Sequence, residues 1–489
     1  MATFPLYRLQ VAADRPARAA GDYVVYWMTI SRRVGWNFAL QRAADWATEL
    51  KRPLVVVEVL ACGGRWDSDR FHRFTLDGMA DNARQLAGRS VFYFPYVESK
   101  SGEARELFRA LSRRACLVVT DDYPIPLPAV QTVDWQAAVR IEKIDGNGLL
   151  PMRAADRAFS TAAAFRRFLQ ATIREYMFDT PQPNPLTRRR FPRLDLLPAE
   201  IVRRWPAAEA PLRSSGFELA ALPIDHRVKP VELPGGHVAA AKVWNHFLRT
   251  KLARYSEDRN QPDTEGASGL SPYLHFGHIS VHKIFHDLIE TEAWTPQRLP
   301  EKPSGRRNGW WQMSEPAEEF LDEIITWREI GLNACAQLAN FDRYESLPAW
   351  ARATLAKHAA DKRPKVYTLE EFAAAATHDD LWNAAQIQLL REGRIHNYLR
   401  MLWGKKILEW SASPQEALEM LIELNNRYAL DGQDPNSYSG IFWILGRYDR
   451  PWAPERLIFG RIRYMSSENT AKKLRVKGYL QRYAKQGDG

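Results

Sequence analysis

The period of the apolar residues changes near residue 236, and this change limits the possible folds more than any other feature of the sequence. In residues 22–145, short apolar or aromatic runs (DYVVYWM, PLVVVEVLA, SVFYFPYVE, CLVVTDDYP and VRIEKID) alternate with amphipathic helical segments. Strands that alternate with helices form a parallel sheet with helices on both faces. After Gly236, helical periodicity continues to the end of the sequence. The sequence therefore predicts an α/β domain followed by a large all-α domain.

The domain limits follow from the same change of pattern. We expect a Rossmann-like α/β domain over residues 1–180 and a helical domain over 236–489. Between them, residues 181–235 are rich in proline and arginine and lack strand signals, which is typical of an interdomain linker. A second segment rich in Pro, Arg and Trp, 292–316, predicts a surface loop or a mobile excursion from the helical domain.

Composition and charge exclude several classes of protein. The three cysteines, Cys62, Cys116 and Cys335, are far apart, so neither a disulfide framework nor a thiolate zinc site is expected. We find no signal peptide and no apolar run of membrane-spanning length, and therefore expect a cytoplasmic protein that does not bind a membrane. Lys and Arg outnumber Asp and Glu by 68 to 58. This excess favours a polyanionic partner such as nucleic acid.

Two motifs resemble known sites but fail in detail. The stretch DGNGLLP follows a strand, as a dinucleotide fingerprint does, but it lacks the third glycine and has Pro151 where a helix should begin. In HFGHISVHKIFH, His278, His282 and His286 recur every four residues and would share a helix face, a spacing that can chelate zinc. No HExxH motif accompanies them, so we prefer a polar helix face and predict no metal. A zinc hydrolase stays open as a minor hypothesis.

Three tryptophans stand in helical patterns. Trp403 and Trp410 are seven residues apart in LRMLWGKKILEW, and Trp382 lies upstream. Seven residues is close to two helical turns, so both indoles of the LRMLWGKKILEW segment would lie on one face. They are either core aromatics, as most tryptophans are, or members of an electron relay.

A turn-rich loop, LDGQDPNSYSG, is followed by aromatic residues interleaved with arginine: Trp443, Arg447, Arg450, Trp452, Arg461 and Arg463. Aromatic faces stack on bases and arginines reach phosphates. A packed core with a basic rim would explain the same pattern. Arg400, just before the tryptophan segment, and Asp431, in the loop, are candidates for an ion pair that tunes a cofactor.

Several long motifs resemble the photolyase/cryptochrome family. The stretches LWNAAQIQLLREGRIHNYLRMLWGKKILEW, LNNRYALDGQDPNSYSGIFW and FGRIRYM are similar to the flavin-binding domain of DNA photolyases, and most similar to class II cyclobutane pyrimidine dimer photolyases. YSEDRNQPDTEGASGLSPYLHFGHIS resembles the segment that clasps the flavin, and YWMTISRRVGWNFALQRA resembles the beginning of the antenna domain. The resemblance covers most of the chain from about residue 22, except the linker and the 292–316 excursion.

The resemblance implies an enzyme, a carbon–carbon lyase that repairs cyclobutane pyrimidine dimers in DNA under blue light. Noncovalently bound, reduced FAD would transfer an electron to a dimer flipped out of the duplex. Relatives suggest a second, antenna chromophore of deazaflavin type. The family also implies a monomer that associates with the nucleoid when bound to DNA. The alternative is a cryptochrome-like photoreceptor without repair activity; a (6-4) photolyase matches the lesion pocket less well.

The functional residues of the family map onto this sequence one by one. The resemblance makes Trp403 and Trp382 the inner members of an electron relay and Trp410 the outer one. Glu323 would hydrogen-bond the 5′ pyrimidine, for which it must be protonated, and Asn425 would face the flavin N5. The other flavin contacts would be Tyr255, Ala267, Ser268, Gly269, Leu270, Ser271, Asn397, Arg400 and Asp431. The other DNA or lesion contacts would be Arg259, Asn260, Trp327, Met401, Trp443, Arg450, Trp452 and Arg463.

Three of the positions in these motifs depart from the class II pattern. Gly269 replaces the usual asparagine, which we expect to loosen the flavin clasp. Asn397 stands where class II members have glycine, and we expect it to add a flavin contact. Leu402 stands where some relatives carry tyrosine, which removes a side branch of the relay.

Overall fold

The computed structural model describes residues 4–208, 212 and 217–485. The chain forms two compact units of three segments each. The sheet unit comprises Met1–Ala154, Glu175–Trp244 and Leu270–Asp287, and the helical unit comprises Ala155–Arg174, Asn245–Gly269 and Leu288–Gly489. Of the predicted linker, 209–211 and 213–216 lie outside the described residues. The contiguous domain limits given above stay a prediction.

The sheet unit is built on six strands: β1 (Leu9–Ala13), β2 (Tyr23–Met28), β3 (Leu54–Leu60), β4 (Val91–Val97), β5 (Ala115–Asp121) and β6 (Ile141–Ile144). Their order in the sheet is β1-β6-β5-β2-β3-β4, and all neighbours are parallel except β1 and β6. All five strands that the sequence predicts are present, which confirms the α/β class. The antiparallel edge strand β1 was missed because LQVAA is short and only half-buried.

The helices, in chain order, are α1 (Phe38–Leu50), α2 (Asp69–Leu86), α3 (Glu103–Arg114), α4 (Pro128–Gln131), α5 (Ala162–Thr172), α6 (Ala199–Arg204), α7 (His237–His246), α8 (Tyr255–Asp258), α9 (Ser271–His275), α10 (Val281–Thr291), α11 (Glu315–Leu321), α12 (Arg328–Gln337), α13 (Ala349–Lys357), α14 (Leu369–Ala373), α15 (Asp380–Glu392), α16 (Asn397–Trp410), α17 (Pro414–Tyr428), α18 (Pro435–Ile444), α19 (Ser467–Lys473) and α20 (Lys477–Arg482). Two wider π-helical turns, Phe247–Lys251 and Asp322–Trp327, interrupt this regular pattern. In the described part of the chain, none of the helices combines the length and the apolar character that crossing a membrane requires.

The sheet buries a separate core on each face because successive side chains of a strand point to opposite sides. Tyr26 belongs to the core covered by α1, whereas its neighbour Trp27 belongs to the core covered by α3. The central strands β2, β3 and β5 are buried along their whole length. This is the continuous apolar pattern that a parallel sheet with two covered faces requires.

The histidine segment differs from its prediction. Helix α10 begins only at Val281, so His278 lies before it and does not share its face. The buried His278 ring stacks on Phe74 with 5.2 Å between centroids, and its Nδ1 accepts a hydrogen bond from the Gly236 N–H at 2.9 Å. Burial lowers the pKa of His278 well below its usual value. Within the described residues, the three histidines do not come together as a set of metal ligands.

The 292–316 segment lies mostly at the surface, as the sequence predicts, but its tryptophans are buried. Trp294, Trp310 and Trp311 are 5%, 1% and 5% exposed, and their rings contact one another. The segment is fixed to α5, where Gln170 bonds its backbone, and to Arg174, which donates to the carbonyl of residue 299 at 2.8 Å. It is an ordered part of the helical unit.

Candidate functional site

The three tryptophans form a continuous row in the helical unit. The rings of Trp382 and Trp403 are 6.3 Å apart and within 7° of parallel, and Trp410 lies 6.3 Å from Trp382 at 64°. The row therefore runs Trp403–Trp382–Trp410, with α15 supplying the middle ring and α16 the rings at both ends. Electron transfer between aromatic rings falls steeply with distance, so rings in contact are the arrangement that a relay needs.

Hydrogen bonds fix the two inner indoles. Trp382 Nε1 donates to the Trp403 carbonyl at 3.0 Å, and Trp403 Nε1 donates to Gln386 Oε1 at 3.0 Å. At the other end, Trp410 contacts the ring of Tyr367 at 5.7 Å and that of the exposed His378 at 4.9 Å. The row thus leads from a buried end to the protein surface.

The charged pair expected beside the flavin is formed. Arg400 lies on α16, and Asp431 lies just after α17. Arg400 Nη2 donates to Asp431 Oδ1 at 2.9 Å. Asn425 on α17 is buried, and its amide nitrogen donates to Ser437 Oγ at 2.5 Å and to Asn426 Oδ1 at 3.2 Å. These bonds fix the orientation of the Asn425 amide. The Arg400–Asp431 ion pair and the oriented Asn425 amide are polar groups that suit contact with a flavin ring.

The predicted clasp contains a left-handed turn. Gly269 has φ +72°, a conformation that glycine adopts freely and that asparagine tolerates better than other residues. Exchange of asparagine for glycine here therefore preserves the backbone path. Tyr255 is buried edge-to-face between Phe247 and Phe320, at 5.6 and 5.7 Å. The small residues that precede Leu270, Ala267 and Ser268 included, are half-exposed, as the approach of a phosphate group requires.

The last members of the predicted flavin set occupy helix starts. Leu270 is buried and precedes Ser271, which is exposed and begins α9. Asn397 is exposed and begins α16, three residues before Arg400. Leu402 is buried beside Trp403.

A cavity of about 530 Å³ brings together four of the predicted lesion contacts, Met401, Trp443, Trp452 and Arg463. Its other lining residues, which the sequence did not single out, are Tyr398, Ala453, Pro454, Arg456, Ile462, Tyr464, Met465, Asn469 and Lys473. Of the predicted lesion residues that the structure describes, the following lie outside this lining: Arg259, Asn260, Glu323, Trp327 and Arg450. The cavity is aromatic and basic, which suits bases and phosphates.

Cations and indoles alternate beside this cavity, whose lining includes both indoles and Arg463 but neither Lys405 nor Arg450. Lys405 Nζ lies 4.7 Å from the Trp443 ring centroid, and Arg463 Cζ lies 5.5 Å from it. Arg463 is also 4.1 Å from the Trp452 centroid, and Arg450 is 5.1 Å from it. Cation–π contacts of this kind hold the rings in place and concentrate positive charge. The neighbouring Arg447 is instead buried and structural.

Lys405, which the sequence did not reveal, does not line the cavity but contacts its Trp443 ring. It is 0% exposed, and its Nζ donates to the Ile444 carbonyl at 2.6 Å. Burial lowers the pKa of Lys405 to about 7, although the nearby Asp449 opposes the shift. One signal was available: Lys405 follows Met401 by four residues on α16 and therefore shares its face.

Glu323 and Trp327 lie in the π-helical turn Asp322–Trp327. Such turns are rare and occur often at functional sites. Glu323 is paired with Arg259, which the sequence predicted only as a DNA contact. Burial raises the pKa of Glu323, and the Arg259 guanidinium opposes this shift.

The chain belongs to the photolyase/cryptochrome family. It is 33% identical over 464 residues to a protein of Methanothermobacter thermautotrophicus named deoxyribodipyrimidine photo-lyase, covering 94% of both chains. A protein of the same name from Oryza sativa subsp. japonica is 32% identical over 480 residues, covering 94% of this chain and 87% of the relative. These matches confirm the resemblance found in the sequence.

A solved structure supports the fold. The crystal structure of a bacterial class III photolyase from Agrobacterium tumefaciens superposes with a TM-score of 0.66 at 16% identity, covering 96% of this chain and 87% of that one. At 16% sequence identity this match supports the fold alone. No protein-family model matches the chain.

Proposed function

We propose that this protein repairs DNA in a light-driven reaction and that its substrates are cyclobutane pyrimidine dimers. One observation carries the proposal. Helix α16 supplies Arg400 to the ion pair with Asp431, Met401 to the lining of the cavity, and Trp403 to the tryptophan row. A cofactor site, a lesion site and an electron path thus share four consecutive residues of one helix.

The cofactor that fits these residues is FAD, held without a covalent bond. When bound in its reduced form, FAD would supply the light-excited electron donor that cleavage of the cyclobutane ring requires. Arg400 and Asp431 would lie beside its ring, and Ser437 would keep the Asn425 amide in one orientation toward it. The left-handed turn at Gly269 would turn backbone N–H groups toward the phosphates.

The lesion would enter the aromatic and basic cavity. Extrusion of a nucleotide costs a few kcal/mol and least for a damaged pair, while stacking on an aromatic ring returns about 1–3 kcal/mol per base. Trp443 would supply such a face, and Arg463 would neutralise phosphate charge. Glu323, when protonated, would donate a hydrogen bond to the pyrimidine.

The tryptophan row would return the flavin to its active form. Trp403 would donate an electron to oxidised flavin. Trp382 would then reduce Trp403, and Trp410 would reduce Trp382, so that the electron hole reaches the surface. We further propose a cytoplasmic monomer. A deazaflavin antenna in the sheet unit remains part of the hypothesis.

Lesion class is tested by repair assays on three oligonucleotides that carry a thymine dimer, a (6-4) photoproduct or no lesion. Purified, reduced protein in blue light should restore only the thymine-dimer strand. Repair of the (6-4) strand would contradict the proposed substrate. Bound, photoreducible flavin without any repair would instead favour a cryptochrome-like photoreceptor.

A further inference from the structure

Four charged side chains of alternating sign form a row in the helical unit. Arg307 is paired with Glu319, and Arg259 is paired with Glu323. The two pairs are joined, because Arg259 Nη1 lies 3.7 Å from Glu319 Oε2 and 3.5 Å from the Glu319 carbonyl oxygen. The row therefore extends from the 292–316 segment to Glu323, the proposed lesion carboxylate, and has no net charge.

The loop that carries Arg307 is held in a defined position. Gln170 on α5 accepts a hydrogen bond from the Gly305 N–H at 2.6 Å and donates to the Arg306 carbonyl at 2.9 Å. On the other side, the Glu318 carboxylate accepts the N–H of Gly309. Arg307 therefore approaches Glu319 from a fixed backbone.

The ionised and protonated forms of Glu323 serve Arg259 unequally. As a carboxylate it accepts from Arg259 with its full negative charge; as an acid it donates to a pyrimidine through its O–H and keeps only a neutral acceptor oxygen for Arg259. Arg259 cannot simply be released, since an unpaired charge in a half-buried site is strongly unfavourable. Glu319 is the second acceptor within reach, and Arg307 currently holds it.

We propose that Arg307 is a positioning residue for Glu323: by sharing Glu319 with Arg259, it decides how firmly Arg259 stays on the lesion carboxylate. This inference rests on the proposed function of Glu323. In the resting protein, Arg307 holds Glu319 and Arg259 stays with Glu323. When a lesion binds, Arg259 moves onto Glu319, and Glu323 takes up a proton from solvent and becomes a hydrogen-bond donor.

The charged and titratable groups that act on Glu323 come from several elements. They are Tyr255 from α8 and Arg259 directly after it, Arg307 from the loop, Glu319 from α11, and Asp322 from the π-helical turn that carries Glu323. Asp322 is itself paired with Arg166 at 2.8 Å. Burial and Asp322 raise the pKa of Glu323, whereas Arg259 and Arg307 lower it. Loss of the Arg307 charge should therefore raise this pKa, both directly and by leaving Glu319 to Arg259.

The test compares the pH dependence of repair by pre-reduced holoenzyme for wild type, Arg307→Gln and Arg306→Gln. Arg306 is the matched control, since it is exposed, adjacent in sequence and loses the same charge. Repair requires protonated Glu323, so it falls as pH rises through its pKa. Arg307→Gln should shift this fall upward by roughly half a pH unit or more. Arg306→Gln should follow wild type, and Arg307→Lys should largely restore the wild-type profile.

A second readout does not depend on repair. The infrared band of a protonated carboxyl that disappears in Glu323→Gln should titrate at higher pH in Arg307→Gln than in Arg306→Gln. Equal titration in both variants would overturn the role of Arg307 while leaving the proposed function intact. Absence of repair in wild type would instead overturn the proposed function, and the infrared titration would still decide whether the charge row acts on Glu323.

Discussion

At the scale of single residues, Glu323 is the side chain on whose protonation the proposed repair reaction depends. It is half-buried, paired with Arg259 and carried on a π-helical turn. Glu323→Ala should reduce the repair yield of pre-reduced enzyme by roughly 10- to 100-fold, since a hydrogen bond to a charged group contributes about 1.5–3 kcal/mol. Flavin content, measured by absorbance, should not change.

Glu323→Gln is the informative companion to this variant. An amide keeps a hydrogen-bond donor at every pH, so this variant should repair dimers and lose the fall in activity at high pH. A glutamine variant as inactive as the alanine variant would show that a donated hydrogen bond is not the function of Glu323.

Lys405 offers a prediction about stability. Its folded pKa of about 7 lies below the usual 10.5, so between these values the unfolded chain binds more protons than the folded one. Burial of the ammonium group therefore disfavours folding fully below about pH 7, and this penalty is lost progressively as pH rises from about 7 to 10.5. Lys405→Met should flatten the pH dependence of the free energy of unfolding in this window. Urea titrations at several pH values would measure it, and an unchanged slope would contradict the shifted pKa.

At this scale, a contact between two residues could be predicted when both stand in a recognisable motif. Arg400 and Asp431 could be proposed as a pair because each stands in a stretch that resembles the family. The burial of Lys405 could not be predicted, since it is produced by the end of α18, 39 residues away in sequence. The pairing of Arg259 with Glu323 spans 64 residues and escaped prediction for the same reason.

At the scale of elements, α15 and α16 bring the tryptophans into one row. Trp403→Phe should abolish blue-light reduction of oxidised flavin, because phenylalanine is much harder to oxidise than tryptophan. Repair by chemically pre-reduced enzyme should stay close to wild type. Trp205→Phe, a buried tryptophan of the sheet unit, is the matched control and should photoreduce normally. Photoreduction that survives in Trp403→Phe would mean that electrons take another route.

Elements with a regular spacing of apolar residues could be predicted from the sequence. Elements whose geometry depends on tertiary packing could not. The apolar runs located β2 to β6, and the spacing of Trp403 and Trp410 located α16. The π-helical turn at Asp322–Trp327 leaves no mark on the period. The start of α10 did have a signal: Gly277 adopts φ +68°, and a Cβ there would lie 1.8 Å from the Ile30 carbonyl oxygen. That glycine marks the turn after α9, and His278 follows it directly, three residues before α10 begins.

At the scale of the whole molecule, the net charge of +10 should appear in DNA binding. Each phosphate neutralised adds about 0.9 to the magnitude of the slope of log K against log salt. Arg456→Gln, at the lesion cavity, should weaken binding to damaged and undamaged duplex alike and reduce the slope by about 1. Arg203→Gln, an exposed arginine of the sheet unit, should leave the slope unchanged. Equal slopes for both variants would show that the cavity rim does not contact phosphate.

The overall architecture was the most predictable level, because the change from strand–helix alternation to continuous helical periodicity runs over hundreds of residues. The 292–316 segment is the exception. Its proline and arginine content indicated an exposed excursion, and most of its residues are exposed, but Trp294, Trp310 and Trp311 are buried. Composition alone did not show that three buried indoles would anchor a mostly exposed segment.

The most direct test of the central claim is repair of a thymine-dimer oligonucleotide by purified, reduced protein, measured in blue light and in darkness on the same preparation. Repair in light and none in darkness is the expected result. Equal repair in both conditions, or none in light by protein that contains reduced flavin, would contradict the assignment of this protein as a light-driven DNA repair enzyme.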